Sequence, residues 1–215
     1  SSTDLAAGGG GGGGGVGIIS DNSLIKMIDP LIDRLAAMLD ARGASVGRDS
    51  TAGWAGLHIA GIALHLSDGR TAAQVAHEIG EPNIAVIDLP LSLNADALAL
   101  AYAPRVGEAE RNQVEATLMA CGLQPIVLRD VPGLLVARTV AMLVNEASDA
   151  VWQGVCSEEA ADLAMTLGVN YPMGPFAWLK QVGVQRVTCV LDKLFDAYRS
   201  ERYRISPLLR QMLWN

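Results

Sequence analysis

Cysteine is scarce in this chain. Cys121, Cys156 and Cys189 stand far apart within apolar helical patterns. Neither a disulfide framework nor a CxxC metal pair can be drawn from them, and they read as buried thiols of a reducing compartment. A basic excess is also missing: 16 Lys and Arg face 23 Asp and Glu, a formal net charge of −7. Scattered cations in an acidic chain leave no footprint for a phosphate backbone or an anionic lipid surface, so neither nucleic acid nor membrane is an expected partner. Long hydrophobic runs are lacking too. Asp, Arg, Glu or His interrupts every stretch before the ~18 to 20 residues that cross a bilayer, which predicts a soluble, cytoplasmic protein. Ser1 to Ala7 has neither the basic segment nor the apolar core of a secretory signal, and Ser replaces an initiator Met, as expected of a processed chain or a fragment.

What remains is ample for a core: 50% of the 215 residues are hydrophobic. Eight of the 23 glycines form one run, Gly8 to Gly15, and the other 15 are spread at an ordinary frequency. Residues 1–23 are therefore expected to be a flexible Gly-rich linker. A GxGxxG match inside polyglycine carries no information, and here the apolar Val16 to Ile19 follow the glycines instead of preceding them.

Asp29-Pro30 reads as a helix start, with Leu31, Ile32, Leu35 and Leu39 on one face and Gly43 as the stop. Leu57 to Leu66 predicts a buried strand, Thr71 with Gln74 a capping box for a short helix ending at Gly80, and Asn83 to Leu89 the next strand. The strand-helix-strand pattern recurs over Leu98 to Ala103, Glu108 to Cys121 and Pro125 to Leu128. After Asp130 the period becomes helical. Val136, Val140, Leu143, Val144, Ala147 and Val151 stripe a long helix, Ser157 caps a second ending at Gly168, and Pro175 opens a third ending near Gly183. Val184, Val187, Val190, Leu191, Leu194 and Tyr198 stripe a fourth, and a short one follows Pro207. The expected fold class is α/β plus all-α: a parallel, degenerate Rossmann-like α/β layer over 24–130, then a helical bundle over 131–215. Stripes this apolar on a short chain predict a face shared with another subunit.

An α/β layer followed by a bundle is the architecture of dinucleotide-dependent dehydrogenases, so the nucleotide site is the first test. Ser67-Asp68-Gly69-Arg70-Thr71 offers one glycine where the fingerprint needs three. Asp88 lies where a ribose-binding carboxylate belongs, but without the cradle it reads as a turn residue before Pro90. His58, His65 and His77 have no carboxylate spaced to orient an imidazole and read as structural or surface histidines, and no metal-ligand spacing appears.

From Asp130 the chain becomes specific. Asp130-Val131-Pro132-Gly133-Leu134-Leu135-Val136-Ala137-Arg138, Asn145-Glu146-Ala147, Gly168-Val169-Asn170-Tyr171-Pro172-Met173-Gly174-Pro175-Phe176, and the closing Arg202-Tyr203-Arg204 with Ser206-Pro207-Leu208-Leu209 occur in order. Together they resemble the C-terminal domain of 3-hydroxyacyl-CoA dehydrogenases, in particular the second copy of that domain in bacterial enzymes of the 3-hydroxybutyryl-CoA and 3-hydroxyadipyl-CoA type. The resemblance implies an NAD-dependent parent that oxidises (3S)-3-hydroxyacyl-CoA to the 3-oxo ester, in fatty-acid or phenylacetate breakdown, and a homodimer formed through the helical domain. Where the family pattern D-x-P-G-F-x-V-N-R carries an active-site Asn, this chain has Ala137, and Ala177 and Lys180 replace two family carboxylates. The expectation is therefore a segment with no catalytic, metal or cofactor-binding residue, NAD being held by the parent. Asn170 and Tyr171 are candidates to face an acyl-CoA channel, or a helix-terminating Asn beside a packed Tyr. Arg138, Asn145 and Asp149 share one side of the long helix, as a solvated face or as partners across a dimer interface. The alternative is a non-enzymatic dimerisation or interaction module, and a third reading keeps a small-molecule site near Ser67 to Arg70 and Asp88.

Overall fold

The computed structural model describes residues 33, 36–41, 47–49, 56–91 and 96–214. The expected linker over 1–23, the helix start at Asp29-Pro30 and its stop at Gly43 lie outside them. Residues 36–41 are helical and put Leu39 into the core of the α/β layer.

That layer runs β1 (Gly47–Asp49), β2 (Gly56–Ile59), β3 (Ile62–Leu66), α1 (Ala72–Ile79), β4 (Ile84–Ile87), β5 (Ala97–Tyr102), α2 (Glu108–Ala120) and β6 (Gln124–Val127). The six strands lie side by side in chain order. Both expected strand-helix-strand units form, β3-α1-β4 and β5-α2-β6, each with its strands parallel. The sheet as a whole is mixed, because β1-β2, β2-β3 and β4-β5 are antiparallel. Among the described residues no helix separates β4 from β5, and a connection this short returns the chain antiparallel.

The apolar run from Leu57 to Leu66 is not one strand. It folds back as the β2-β3 hairpin, with Ala60 and Gly61 both at positive φ, 53° and 78°. Two successive left-handed residues match the right-handed twist of the strands they join. Ala-Gly is not the usual Asn-Gly turn signal, which is why the run reads as continuous.

The helical half comprises α3 (Val136–Trp152), α4 (Glu158–Leu163), α5 (Pro175–Val182), α6 (Val184–Tyr198) and α7 (Pro207–Met212), with a 3-10 turn over Glu201–Tyr203. All five begin and end close to the residues that the stripes predict. The second differs in its last turn, which widens into a π turn over Ala164–Gly168. The apolar stripes of α3, α5, α6 and α7 meet around Val144, Trp178, Leu191, Leu194 and Leu209 in one core, while the sheet, α1 and α2 enclose another. The two cores meet where the carboxyl ends of β3 and β4 face α6 and the start of α3, and the chemistry of that seam decides what the chain can hold.

Candidate functional site

β3 ends at Leu66, and Ser67-Asp68-Gly69-Arg70-Thr71 leads into α1. In a dinucleotide-binding unit the N-terminus of this helix faces the diphosphate, because its first N–H groups have no partner within the helix. Here they are occupied. The amides of Ala72 and Ala73 donate to the two carboxylate oxygens of Asp130, at 2.7 and 2.9 Å, and the amide of Gln74 donates to Thr71 Oγ1 at 3.0 Å. The reciprocal arm of the expected capping box is absent among the described residues: Gln74 Nε2 donates forward to Glu78 at 2.8 Å. The single glycine also has another task. Gly69 sits at φ +103°, and a Cβ there would come within 2.8 Å of Lys193 Cβ and 2.9 Å of Val190 Cα, so its missing side chain is what lets α6 close on the turn.

The turn's charges are paired internally. Arg70 donates through Nε and Nη2 to Asp68 Oδ2, at 2.9 and 2.6 Å, and through Nη1 to Glu78 at 2.5 Å. Burial pushes the Asp68 carboxyl up, but the hydrogen bonds and charge of Arg70 outweigh it and hold the group below the usual range. Arg186 reaches in from α6 to donate to the Ser67 carbonyl at 2.8 Å, and Gly133 N donates to the Gly69 carbonyl at 3.0 Å. Cys189 lies nearby on α6, its thiol pushed up by burial.

Asp88 is not a turn residue. It is 1% exposed, and it accepts from the amides of Leu135, Val136 and Ala137 at 2.9, 2.7 and 2.8 Å, besides that of Leu89 at 2.8 Å. The carboxylate at the end of β4 thus holds the start of α3 and ties sheet to bundle. Burial pushes its pKa up while those backbone bonds pull it down. Ala137, at the family's asparagine position, is buried against the same carboxylate. Asp88 and Asp130, flanking the crevice, are both engaged with helix starts, and the donors that would cradle a diphosphate are engaged with Asp130.

The remaining candidates lie apart. His65 is buried on β3, where burial and then the Arg70 charge bring it down to about 3, while His58 is half-buried and His77 exposed. Cys121 is buried, but Cys156 and Cys189 are only half-buried, so the expectation of three buried thiols holds for one. Among the described residues no three His, Cys, Asp or Glu side chains are grouped to hold a metal, and no helix is long and apolar enough to cross a membrane. An open groove of about 390 Å³ lies between α1 and the residues that follow β5, lined by Ala73, Ala76, His77, Ala103 and Arg105.

Asn170 follows the π turn, exposed and at φ +56°. Tyr171 is half-buried, its amide donating to the Met165 carbonyl at 3.3 Å and its ring edge-on to Trp178 at 5.6 Å. The corner they adjoin is held by Asp162, whose carboxylate accepts from the amides of Phe176 and Ala177 at 2.7 and 3.1 Å. A Cβ on Gly174 would overlap Asp162, its Cα at 2.5 Å included.

The solvated-face reading of Arg138, Asn145 and Asp149 needs correction, since all three bond within the chain. Asn145 is 2% exposed; its Nδ2 donates to the Arg204 carbonyl and its Oδ1 accepts from Ser206 N, both at 2.8 Å. Asp149 pairs with Arg204 at 2.8 Å, and Arg138 donates to the hydroxyls of Tyr198 and Tyr203. The reason is the return of the chain after α6, which lays 198–206 along α3 and needs its backbone groups satisfied. The capping roles of Asp130 and Asp162 escape a reading of the sequence. The available signal is a helix start such as Gly174-Pro175, which has no local capping side chain and so calls for a remote one.

Comparison with known proteins now fits this geometry. Residues 64–132 match the 3-hydroxybutyryl-CoA dehydrogenase reduced Rossmann-fold domain, and residues 133–215 match the 3-hydroxyacyl-CoA dehydrogenase, C-terminal domain, without a gap between them. The chain belongs to the 3-hydroxyacyl-CoA dehydrogenase family. The 3-hydroxyadipyl-CoA dehydrogenase of Escherichia coli is 39% identical over 150 residues, which cover 70% of this chain and 31% of that protein. A probable 3-hydroxybutyryl-CoA dehydrogenase of Deinococcus radiodurans is 35% identical over 100 residues, 46% of this chain and 36% of the relative. The crystal structure of 3-hydroxybutyryl-CoA dehydrogenase from Escherichia coli aligns with a TM-score of 0.71 at 36% identity, covering 81% of this chain and 36% of that one. The chain thus spans about a third of the length of the curated dehydrogenases it matches. The reduced Rossmann-fold domain accords with a βαβ unit whose helix start is filled by the protein's own carboxylate.

Proposed function

We propose that this chain is the C-terminal part of an NAD-dependent 3-hydroxyacyl-CoA dehydrogenase, and that it serves assembly and the shaping of the acyl-CoA pocket while hydride transfer takes place elsewhere in the longer protein. One observation carries the reading: Asp130 occupies the helix start where a diphosphate would sit. Ala137 supports it, since no amide replaces the family's asparagine there. A base and a nicotinamide must be held against the substrate carbon for hydride transfer, and none of the described residues is arranged for either task. The parent would take a 3-hydroxyacyl-CoA, act in the cytoplasm in fatty-acid or phenylacetate breakdown, and bind NAD outside this segment.

Within that reading the chain divides at residue 130 into a degenerate nucleotide-type layer and a helical unit that forms the homodimer. Asn170 and Tyr171 border the acyl-CoA, because the left-handed Asn170 backbone projects at the surface beside the rigid Gly174-Pro175 corner. A non-enzymatic dimerisation module is the competing reading, favoured by the internal pairing of Arg70, Asp88 and Asp130. Titrating the protein with NADH and with acetoacetyl-CoA separates them. The proposal expects no saturable NADH binding and measurable acetoacetyl-CoA binding that Tyr171→Ala weakens. Micromolar NADH binding overturns the closed-crevice reading, and silence toward acetoacetyl-CoA favours the module.

A further inference from the structure

Among the described residues, three arginines meet a carboxylate within salt-bridge distance. Arg70 is held by Asp68 and Glu78, Arg204 by Asp149, and Arg199 by Asp196. Arg138 does not. It is half-buried on the first turn of α3, and its guanidinium donates through Nη1 to Tyr198 Oη at 3.3 Å and through Nη2 to Tyr203 Oη. It also lies over both rings, 4.9 Å from the centroid of Tyr198 and 5.5 Å from that of Tyr203. Phenol oxygens and π faces orient a guanidinium and offset part of its desolvation, but they are neutral. Among the described residues no carboxylate forms an ion pair with it, and the hydroxyls take two of the five N–H donors that a guanidinium carries.

A second cation adjoins the first. Arg202, exposed on the 3-10 turn, lies over the same Tyr203 ring at 5.8 Å and makes no ion pair among the described residues. Arg138 and Arg202 thus place two guanidiniums on one tyrosine, neither met by a carboxylate among the described residues. Tyr198, tilted 34° to Tyr203 at 5.5 Å, is 43% exposed and brings an aromatic ring to the surface at the same place. A planar guanidinium pairs with two phosphate oxygens at once, and an exposed tyrosine ring stacks on a planar base.

We propose that Arg138, Tyr198 and Arg202, where α3, α6 and the 3-10 turn meet, bind an anion that joins a phosphate to an aromatic base, the chemistry of the phosphoadenosine end of coenzyme A. The inference rests on the acyl-CoA reading above and adds which end of the ligand this segment holds. Arg138 and Arg202 take the phosphate, and Tyr198 flanks the base.

Calorimetric titration of the full chain with coenzyme A, 3′-dephospho-coenzyme A and inorganic phosphate tests it. Coenzyme A is expected to bind saturably, and the dephospho form about ten-fold more weakly, since it lacks the dianionic group that a guanidinium pair favours. Arg202→Gln is expected to weaken coenzyme A binding about five-fold, with the unfolding temperature unchanged because the side chain is exposed and unpaired. Arg138→Gln should abolish binding, but it also removes contacts to the buried Tyr203, so Arg202→Gln is the deciding variant. Equal binding of the two coenzyme forms, equal binding by wild type and Arg202→Gln, or phosphate binding as tight as coenzyme A would each overturn the site. Acetoacetyl-pantetheine, which lacks the nucleotide, keeps the two proposals apart. If it binds while coenzyme A and its dephospho form are not distinguished, the acyl-CoA reading stands and this anion site falls.

Discussion

Three carboxylates do the joining in this molecule. Asp88, Asp130 and Asp162 each sit on a helix start that has been brought to them by the fold, and each satisfies amides that the helix itself cannot. Asp88 is the most consequential because it is buried and meets four amides. Replacing it with Ala leaves the N–H groups of Leu135, Val136 and Ala137 unpaired inside the seam, an expected loss of about 3 kcal/mol or more. Asp130→Ala, at a half-buried and wetter start, should cost about 1 to 2 kcal/mol. Urea unfolding checks both: the midpoint should fall further for Asp88→Ala, and equal shifts would argue against the seam as a structural tie. His65 gives the matching test in pH. Burial, then Arg70, lowers its folded pKa from 6.5 to about 3. Between those values the unfolded chain binds a proton that the folded chain does not, so stability falls as pH drops below 6.5, by up to about 1.4 kcal/mol per unit. His65→Gln should flatten the slope of melting temperature between pH 6.5 and 4. An unchanged slope would place the proton uptake elsewhere.

Elements show how much of this was legible and why the rest was not. Each helix of the bundle announces itself by a 3.6-residue stripe, a cap or a stop, because those signals are local: Ser157 and Pro175 lie at the turns they open. The β2-β3 hairpin was hidden because its Ala-Gly turn carries no Asn or Asp, and an apolar strand pair buried on both sides reads as one run. The remote caps were hidden for a different reason. They join residues 47 and 58 positions apart, and no spacing rule on one helix can reveal a partner on another. Gly69 shows the same limit. The sequence presents it as the lone glycine of a turn that needs three for a phosphate cradle, whereas its role is to admit α6, at distances where any Cβ would meet backbone. Gly69→Ala must therefore displace α6 and also sustain φ +103°, which together should cost about 2 to 4 kcal/mol and lower the melting temperature by several degrees. Gly168→Ala, where the added methyl meets open space, is the control and should be near neutral. Similar losses in both would mean that the close packing of α6 on the turn contributes nothing.

At the scale of the whole molecule, the acidic balance and the apolar surface pull in opposite directions. A net charge of −7 keeps copies apart, yet the helical half exposes Trp152, Val155, Leu163, Leu167 and Val169, with Val155 at 74% and Leu167 at 77%. Leu163 and Leu167 are about one turn apart, so they present side by side where the α-helix widens into the π turn. A homodimer formed over this surface would cover them, and its strength should then rise with salt, because screening weakens the repulsion between two acidic chains while leaving apolar burial intact. Leu167 contributes twice in a symmetric interface. Losing about 1.5 kcal/mol of burial from each copy in Leu167→Ser should raise the dimer dissociation constant roughly 100-fold or more. The unfolding temperature, measured at concentrations where both proteins are monomeric, should not move, since a side chain this exposed packs little within its own chain. Sedimentation equilibrium at low and high salt reads all of this at once. A wild type that stays monomeric at every concentration, or a dimer that Leu167→Ser leaves untouched, would remove this surface from the assembly.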